Sequence, residues 1–378
     1  MEDTKDFLRE SAVFHEIILM SFSIALRYFF IKFARPLVAI SFFVFRFYNM
    51  RLRFSVILFF AAIRFSGFAQ PTETDKLISN LTFGSSLPEG ICAGRAVVLY
   101  EASFNAVELQ EAQKYFQQAG IDAVLYIDID YVLSGMDPER SFSNYFSSRN
   151  IKFLILLQKA GKGFQITITR YNGTKDFVDN QHPSWKLEDT SLPSLLQAVY
   201  RFCISTQKKE SLLINDVAER NYSLRFFRER DERFTADVRL VRIAIPRMGN
   251  DADDSQLTDF LKDHFPYKYE LVDPALKDNE LEEKGYRLVL RFVHTRGDVA
   301  RDILGYDITQ TAGSLLTTFM SAGEQKVKTI PSKKKIYKFY FKNTEYGNLF
   351  LGTRWDADET WQDALSNFVS LMRAELKL

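Results

Sequence analysis

Two stretches of this chain carry the same succession of short apolar runs and helical runs, and that succession constrains the fold more than any other feature. In the first, Ala96–Tyr100 is a short apolar strand-type run. Asn105 with Glu108 three residues later opens a helix, which Gly120 stops. Ala123–Ile127 is a second strand, and Asp137-Pro138 begins a short helix that runs to about Ser148. Ile151–Leu157 is a third strand. Phe164–Tyr171 alternates apolar and polar residues, as a half-exposed antiparallel strand does. Trp185 precedes a helix from about Leu192 to Ile204.

The second stretch repeats that order. Strands are expected over Val238–Ile245, Tyr267–Val272 and Tyr286–Val293, with helices over Ser255–Asp263 and Asp278–Lys284. Ile336–Lys342 and Leu349–Leu351 form a hairpin around Glu345-Tyr346-Gly347, and Trp355 precedes a helix from about Glu359 to Leu376. Trp185 to Leu195 and Trp355 to Leu365 have the same spacing. The expected fold class is therefore α/β, with α+β as the alternative. It is built from two tandem β-α-β-α-β-β-β-α units, 95–204 and 238–378, and reads as an internal duplication. Residues 70–94 form a lead-in. Residues 205–237 form a linker, whose run Arg228–Arg233 reads as a solvated helix face. The second unit carries an insertion, 295–334, where the first has only a tight turn. The insertion, which carries the apolar run Leu315–Met320, either forms an extra helix packed on the core or makes a binding surface with the neighbouring strand Ile336–Lys342.

The N-terminal part is a different kind of sequence. No Asp or Glu occurs from Ile17 to Thr72, and the stretch is rich in Phe. Within it, Met50–Arg53 is a short basic region, Phe54–Ile63 an apolar core, and Gly67-Phe68-Ala69 a small-residue site before Gln70. That order is a cleavable secretory signal. Residues 1–49 read as sequence upstream of a true start at Met50, or else as a membrane-associated leader. Arg27, Lys32, Arg35 and Arg46 interrupt their apolar runs, each shorter than the ~20 residues that span a bilayer. Without residues 1–69 the chain is slightly acidic, with no transmembrane run and none of the basic footprint of a nucleic-acid binder.

Few residues announce chemistry. Asp128 and Asp130 end the second strand and Asp137 follows. Ligands of open α/β sheets bind at that edge, and clustered carboxylates can hold Mg²⁺ or Ca²⁺, but they equally end strands and cap helices. His182, His264 and His294 have no metal-ligand spacing, no G-x-S-x-G elbow occurs, and no Gly-rich phosphate loop points to a cofactor. Cys92 and Cys203 could pair in an oxidising compartment or pack as buried thiols. Lys335, Tyr337, Lys338, Phe339 and Tyr340 mix basic and aromatic residues on one strand. That mixture suits a partner-binding surface, or an edge strand guarded by lysines.

The expectation from these residues is an exported periplasmic or surface-associated protein that binds a protein or envelope component. The alternative is an exported hydrolase acting on cell-wall, sugar or peptide substrates. A deep pocket with convergent Asp, His or Ser side chains would mark the second, and an apolar or aromatic face the first.

Overall fold

The structure, a computed structural model, describes residues 73–377 apart from 162, 212 and 309–312. The leader and signal expected over 1–69 lie outside the described residues. Among the described residues no helix is long and apolar enough to cross a membrane.

The alternation of apolar runs and amphipathic helices produces an α/β fold with two mixed sheets. After helix α1 (Glu73–Ser79) the first half runs β1 (Arg95–Tyr100), α2 (Ala106–Ala119), β2 (Asp122–Asp128), α3 (Ile129–Val132), α4 (Met136–Ser148), β3 (Ile151–Ala160), β4 (Gly163–Arg170), β5 (Trp185–Asp189) and α5 (Leu192–Thr206). Its sheet has the order β2-β1-β3-β4-β5. β1 pairs parallel with β2 and β3, while β3–β4 and β4–β5 are antiparallel. Local chemistry sets the boundaries. The Asn105 side chain accepts from Val107 and Glu108 N–H while Glu108 reaches back to Asn105 N–H, and Gly120 closes α2 at φ 90°.

The second half runs β6 (Arg230–Asp231), β7 (Ile243–Pro246), α6 (Asp251–His264), β8 (Tyr269–Val272), α7 (Asp278–Glu283), β9 (Leu288–Arg296), α8 (Gly297–Ile303), β10 (Ser314–Ser321), β11 (Glu324–Pro331), β12 (Lys335–Asn343), β13 (Leu349–Phe350) and α9 (Trp361–Glu375). Its main sheet has the order β6-β13-β12-β9-β7-β8. β7 is parallel to β8 and β9, β12 is antiparallel to β9 and β13, and β6 adds a parallel edge. Read outward from β8, this order and these senses match those of the first sheet. A duplication must meet that condition, and a common origin of the halves stays an inference from the likeness.

Each sheet is covered on both faces, so its strands are near-continuous apolar runs. On one face of the first sheet Phe116 of α2 and Leu195, Leu196 and Val199 of α5 pack on Val98, Ile155 and Ile166. On the other lie Phe142 and Phe146 of α4, with Leu77 of α1. In the second sheet α6 and α9 cover the face that carries Leu290, Phe339 and Phe341. Full burial of each such side chain stabilises the fold by about 1.5–3 kcal/mol. The opposite face of the second sheet meets α8 around Ile336 and Tyr340, and α7 around Val289.

Three expectations are corrected here. The run over 238–245 is not one strand: Ala236–Arg239 forms a 3-10 turn that buries Val238, and Leu240 is exposed, so the apolar alternation breaks before β7. The run Arg228–Arg233 faces solvent for the most part but is not helical. Leu224 and Phe226 pack against the first core, Phe227 sits edge-on to Tyr340, and Arg230–Asp231 pairs with β13. The insertion is a short helix followed by a β-hairpin: α8 buries Val299, Ala300 and Ile303, and the run Leu315–Met320 is strand β10, paired antiparallel with β11. Leu315 packs over Gly297 while Leu316 points to solvent. The period of two in that run is why it forms a strand and not a helix.

Candidate functional site

The aspartates that end β2 are consumed by the contact between the halves. Arg296, at the end of β9, reaches back with Nη2 2.5 Å from Asp128 Oδ2 and Nε 2.7 Å from Asp130 Oδ2. Thr295 Oγ1 donates to Asp130 O at 2.7 Å, and Lys335 Nζ lies 3.6 Å from Asp130 Oδ1. Burial lifts the Asp128 carboxyl to about 6, against the opposing pull of Arg296. Asp137, in the first turn of α4, is buried against the second sheet. It accepts hydrogen bonds from Tyr340 Oη and Lys342 Nζ, both at 2.6 Å. The oxygens of Asp128, Asp130 and Asp137 face Arg, Lys and Tyr side chains, and Asp128 also caps α3 by accepting from Asp130 N–H at 3.0 Å. Among the described residues no group of three His, Cys, Asp or Glu side chains has metal-binding placement.

The five residues expected on an exposed strand are also relocated. β12 is a central strand, paired on both edges, and the two cores of the second half cover its two faces. Lys338, Phe339 and Tyr340 are buried, and Lys335 and Tyr337 are half-buried. An edge strand guarded by lysines is not what this sequence forms. Alternation sends Lys338 and Tyr340 toward the face that meets the first half, and Tyr337 and Phe339 toward the face that carries α6 and α9. Cys92 and Cys203 are both fully buried in the first core, as free thiols. Cys92 Sγ donates to Ala119 O at 3.5 Å, and a thiol hydrogen bond joins the two cysteines: it lowers Cys92 and, with burial, pushes Cys203 up.

The site itself forms where the second sheet changes direction. The chain leaves β7 into α6 on one face and returns to β9 through α7 on the other, so the carboxyl ends of β7 and β9 part at a topological switch point. Crevices at such points are where open α/β sheets take ligands. Here the crevice is a cavity of about 300 Å³. Phe292 and His294 of β9, Tyr337 and Phe339 of β12, and Trp361 at the start of α9 supply an aromatic lining. The His294 and Tyr337 rings stack with centroids 3.9 Å apart at 6°, a flat double platform. Phe292 packs at 5.6 Å from Tyr337 and 5.4 Å from Phe339. Polar groups stand at the edge. Asp253 Oδ1 accepts from Trp361 Nε1 at 3.1 Å and its Oδ2 from Asn250 Nδ2 at 2.7 Å, which fixes the indole. Met136 and Glu139 of α4 and the Gly135 backbone close the far side. Gly135 adopts φ +130°, and a Cβ there would lie 2.7 Å from Phe292 O, so only glycine brings the two halves this close. His294 N–H donates to Ser134 O at 2.8 Å across the same contact.

The corresponding place in the first sheet is filled. Glu101 N–H donates to Leu157 O at 3.2 Å, and Glu101 Oε2 accepts from Lys159 N–H at 3.0 Å. The Lys159 ammonium pairs with Glu108 at 2.7 Å and lies over the rings of Phe104 and Phe164. The β1–β3 switch point is therefore plugged, the cavity of about 800 Å³ at that edge opening instead beside Tyr100, Ile127 and Asp128, whereas the matching crevice of the second sheet is open and aromatic.

The open crevice offers stacking and hydrogen bonding. The first turn of α6 holds Asp251, Asp253 and Asp254, which offset the positive helix end, while Arg247 and Arg291 bring guanidinium groups to the crevice wall. Among the described residues that line the pocket none is Ser, Thr or Cys, so it contains no side-chain nucleophile of those types. Sequence reasoning singled out Tyr337 and Phe339 and missed Trp361, Phe292 and Asp253. The one usable signal was Thr360-Trp361 opening a helix, with an aromatic residue where helices often begin with small or acidic ones. No protein-family model matches this chain, and no curated protein matches it.

Proposed function

We propose that the protein binds a small ligand in the aromatic crevice at the switch point of its second sheet, and does so as an exported protein of the periplasm or cell surface. The observation that carries this reading is the contrast between the two sheets: packing fills one switch point and leaves the other open and lined by aromatic rings. Aromatic faces with a few fixed polar groups are the composition of ligand pockets. The hydrolase reading has one observation in its favour, because the carboxylates Glu139 and Asp253 both line the pocket. Asp253, however, is already committed to Trp361 and Asn250.

Titration with N-acetylglucosamine, chitobiose and glycylphenylalanine, followed by tryptophan fluorescence, tests the site. At least one probe should shift the emission saturably. Tyr337→Ala should weaken that binding at least about tenfold, the effect of removing a central aromatic anchor. Binding that is indifferent to Tyr337→Ala places the ligand elsewhere. Steady release of products from chitobiose or the dipeptide would instead favour the hydrolase. Export is tested separately: N-terminal sequencing of secreted material should begin at Gln70, and a mature chain that still carries residues 1–50 would remove that part of the proposal.

A further inference from the structure

The polar groups in the wall of the aromatic crevice are unequally satisfied. Both oxygens of Asp253 already accept, from Trp361 Nε1 and Asn250 Nδ2. Arg291 is the opposite case. It lines the crevice from β9, and its side chain is 2% exposed. Only its Nη2 finds a hydrogen-bond acceptor, Asp278 Oδ1 at 2.5 Å. Nε and Nη1 are buried with no hydrogen-bond partner among the described residues. Among the described residues of the crevice wall, no other side chain has such an atom.

Competition for oxygens explains the deficit. Asp137 Oδ1 stands 3.4 Å from Arg291 Nη1, near enough for charge but off hydrogen-bond geometry. That carboxylate already accepts from Tyr340 Oη and Lys342 Nζ. Asp278 gives its second oxygen to Lys342 Nζ at 2.8 Å. The two carboxylates therefore match the charges of Arg291 and Lys342 and still leave donors of Arg291 unmet. A buried donor without an acceptor is unfavourable, and a ligand oxygen at this wall would relieve it. Arg247, just past β7, brings a second guanidinium to the same crevice. It is exposed and forms no ion pair among the described residues.

The wall thus combines aromatic rings with donors that need oxygens. A planar carboxylate suits the guanidinium fork, because its two oxygens accept side by side. It also brings a single negative charge, whereas a phosphoryl group brings about 1.5–2. Glu139 and Asp253 line the crevice and Asp137 lies beside Arg291, so repulsion favours the monoanion. The volume of about 300 Å³ restricts the ligand to a small molecule.

We propose that the ligand of the aromatic crevice is a small aromatic carboxylate, its ring against Tyr337 and Trp361 and its carboxylate on Arg291 and Arg247. This rests on the reading of the crevice as a ligand pocket and adds the chemical class of the ligand.

The full chain is titrated by calorimetry at neutral pH and constant ionic strength with phenylacetate, phenylacetamide and phenyl phosphate. The first two differ in charge and hardly in shape. Phenylacetate should bind saturably and at least about tenfold tighter than phenylacetamide, the worth of one charge-assisted hydrogen bond. Phenyl phosphate should bind more weakly than phenylacetate. Arg247→Gln and Arg291→Lys should each weaken phenylacetate about tenfold and phenylacetamide much less. Lysine keeps the charge that faces Asp137 and Asp278 but removes the guanidinium fork. Arg247 is exposed, so Arg247→Gln keeps the test decisive even where Arg291→Lys disturbs folding. Equal affinity for phenylacetate and phenylacetamide, with both lost in Tyr337→Ala, leaves the crevice a ligand pocket and overturns the carboxylate. Tighter binding of phenyl phosphate overturns it as well. So does a phenylacetate affinity unchanged by Arg247→Gln or by a folded Arg291→Lys, which places the carboxylate elsewhere. No binding of any probe also overturns the proposal, and the sugar and dipeptide titrations then judge the crevice by themselves.

Discussion

Asp137→Ala should destabilise the fold by about 3–5 kcal/mol, the usual cost of removing one member of a buried ion pair. The carboxylate is 3% exposed, and its loss leaves Arg291, Lys342 and the Tyr340 hydroxyl facing a void. Urea unfolding of the variant measures the effect. Amide exchange should rise first in α4 and β12, the two elements that Asp137 joins. The pH dependence has a definite sign. Burial alone would raise the Asp137 carboxyl, but the charges of Arg291 and Lys342 and the hydrogen bonds from Lys342 and Tyr340 outweigh it and hold the group below its usual value of 3.8. The unfolded chain therefore takes up the proton first as pH falls. The contribution of Asp137 is complete above about pH 4–5 and is lost as pH falls through the lower, folded value. The gap in stability between the wild type and Asp137→Asn should narrow in acid. A gap that widens there would show that the carboxyl is held protonated and would refute the charge-clasp reading.

Lys338 and Asp356 should behave as a unit. Lys338 is 0% and Asp356 1% exposed, with Nζ 2.7 Å from Oδ1. The same ammonium donates to Phe339 O at 2.9 Å and Leu351 O at 3.0 Å. The approach to Asp356 is off the hydrogen-bond angle, so neither carboxylate oxygen has a well-directed donor. Burial pushes Lys338 down and Asp356 up, each toward its neutral form. Asp356→Ala alone should cost about 3–5 kcal/mol because it strands a buried ammonium. The double replacement Lys338→Met, Asp356→Leu should recover most of that loss, since apolar isosteres avoid the desolvation of both charges. A cavity of about 180 Å³ beside Asp356 gives the larger leucine room. Urea unfolding of the wild type, Lys338→Met, Asp356→Leu and the double variant completes the cycle, with Asp356→Ala measured beside them. A double variant no more stable than Asp356→Ala would mean that the carbonyls of Phe339 and Leu351 need the ammonium more than the carboxylate does.

These residues also separate what local pattern dictates from what long-range packing adds. Period and capping are local, so the order of strands and helices followed from them. The capping box at Asn105, the stop at Gly120 and the helix after Ser191 all stand where local chemistry puts them. Local pattern misjudged 238–245 because Val238 is buried by a 3-10 turn, a tertiary gain that strand alternation does not encode. It also left β12 open to two readings. Lys338 and Lys342 resemble edge lysines, yet the strand is central, and their ammonium groups are buried against Asp356, just past β13, and Asp137 of the first half. The same limit governs the site. Asp128, Asp130 and Asp137 were visible as a carboxylate cluster, but their partners Arg296, Lys342 and Tyr340 lie more than a hundred residues away. The aromatic crevice needs β9, β12, α9 and the Gly135 turn to converge. No spacing within one segment records that convergence, because it arises when the halves dock and the second switch point is left unfilled.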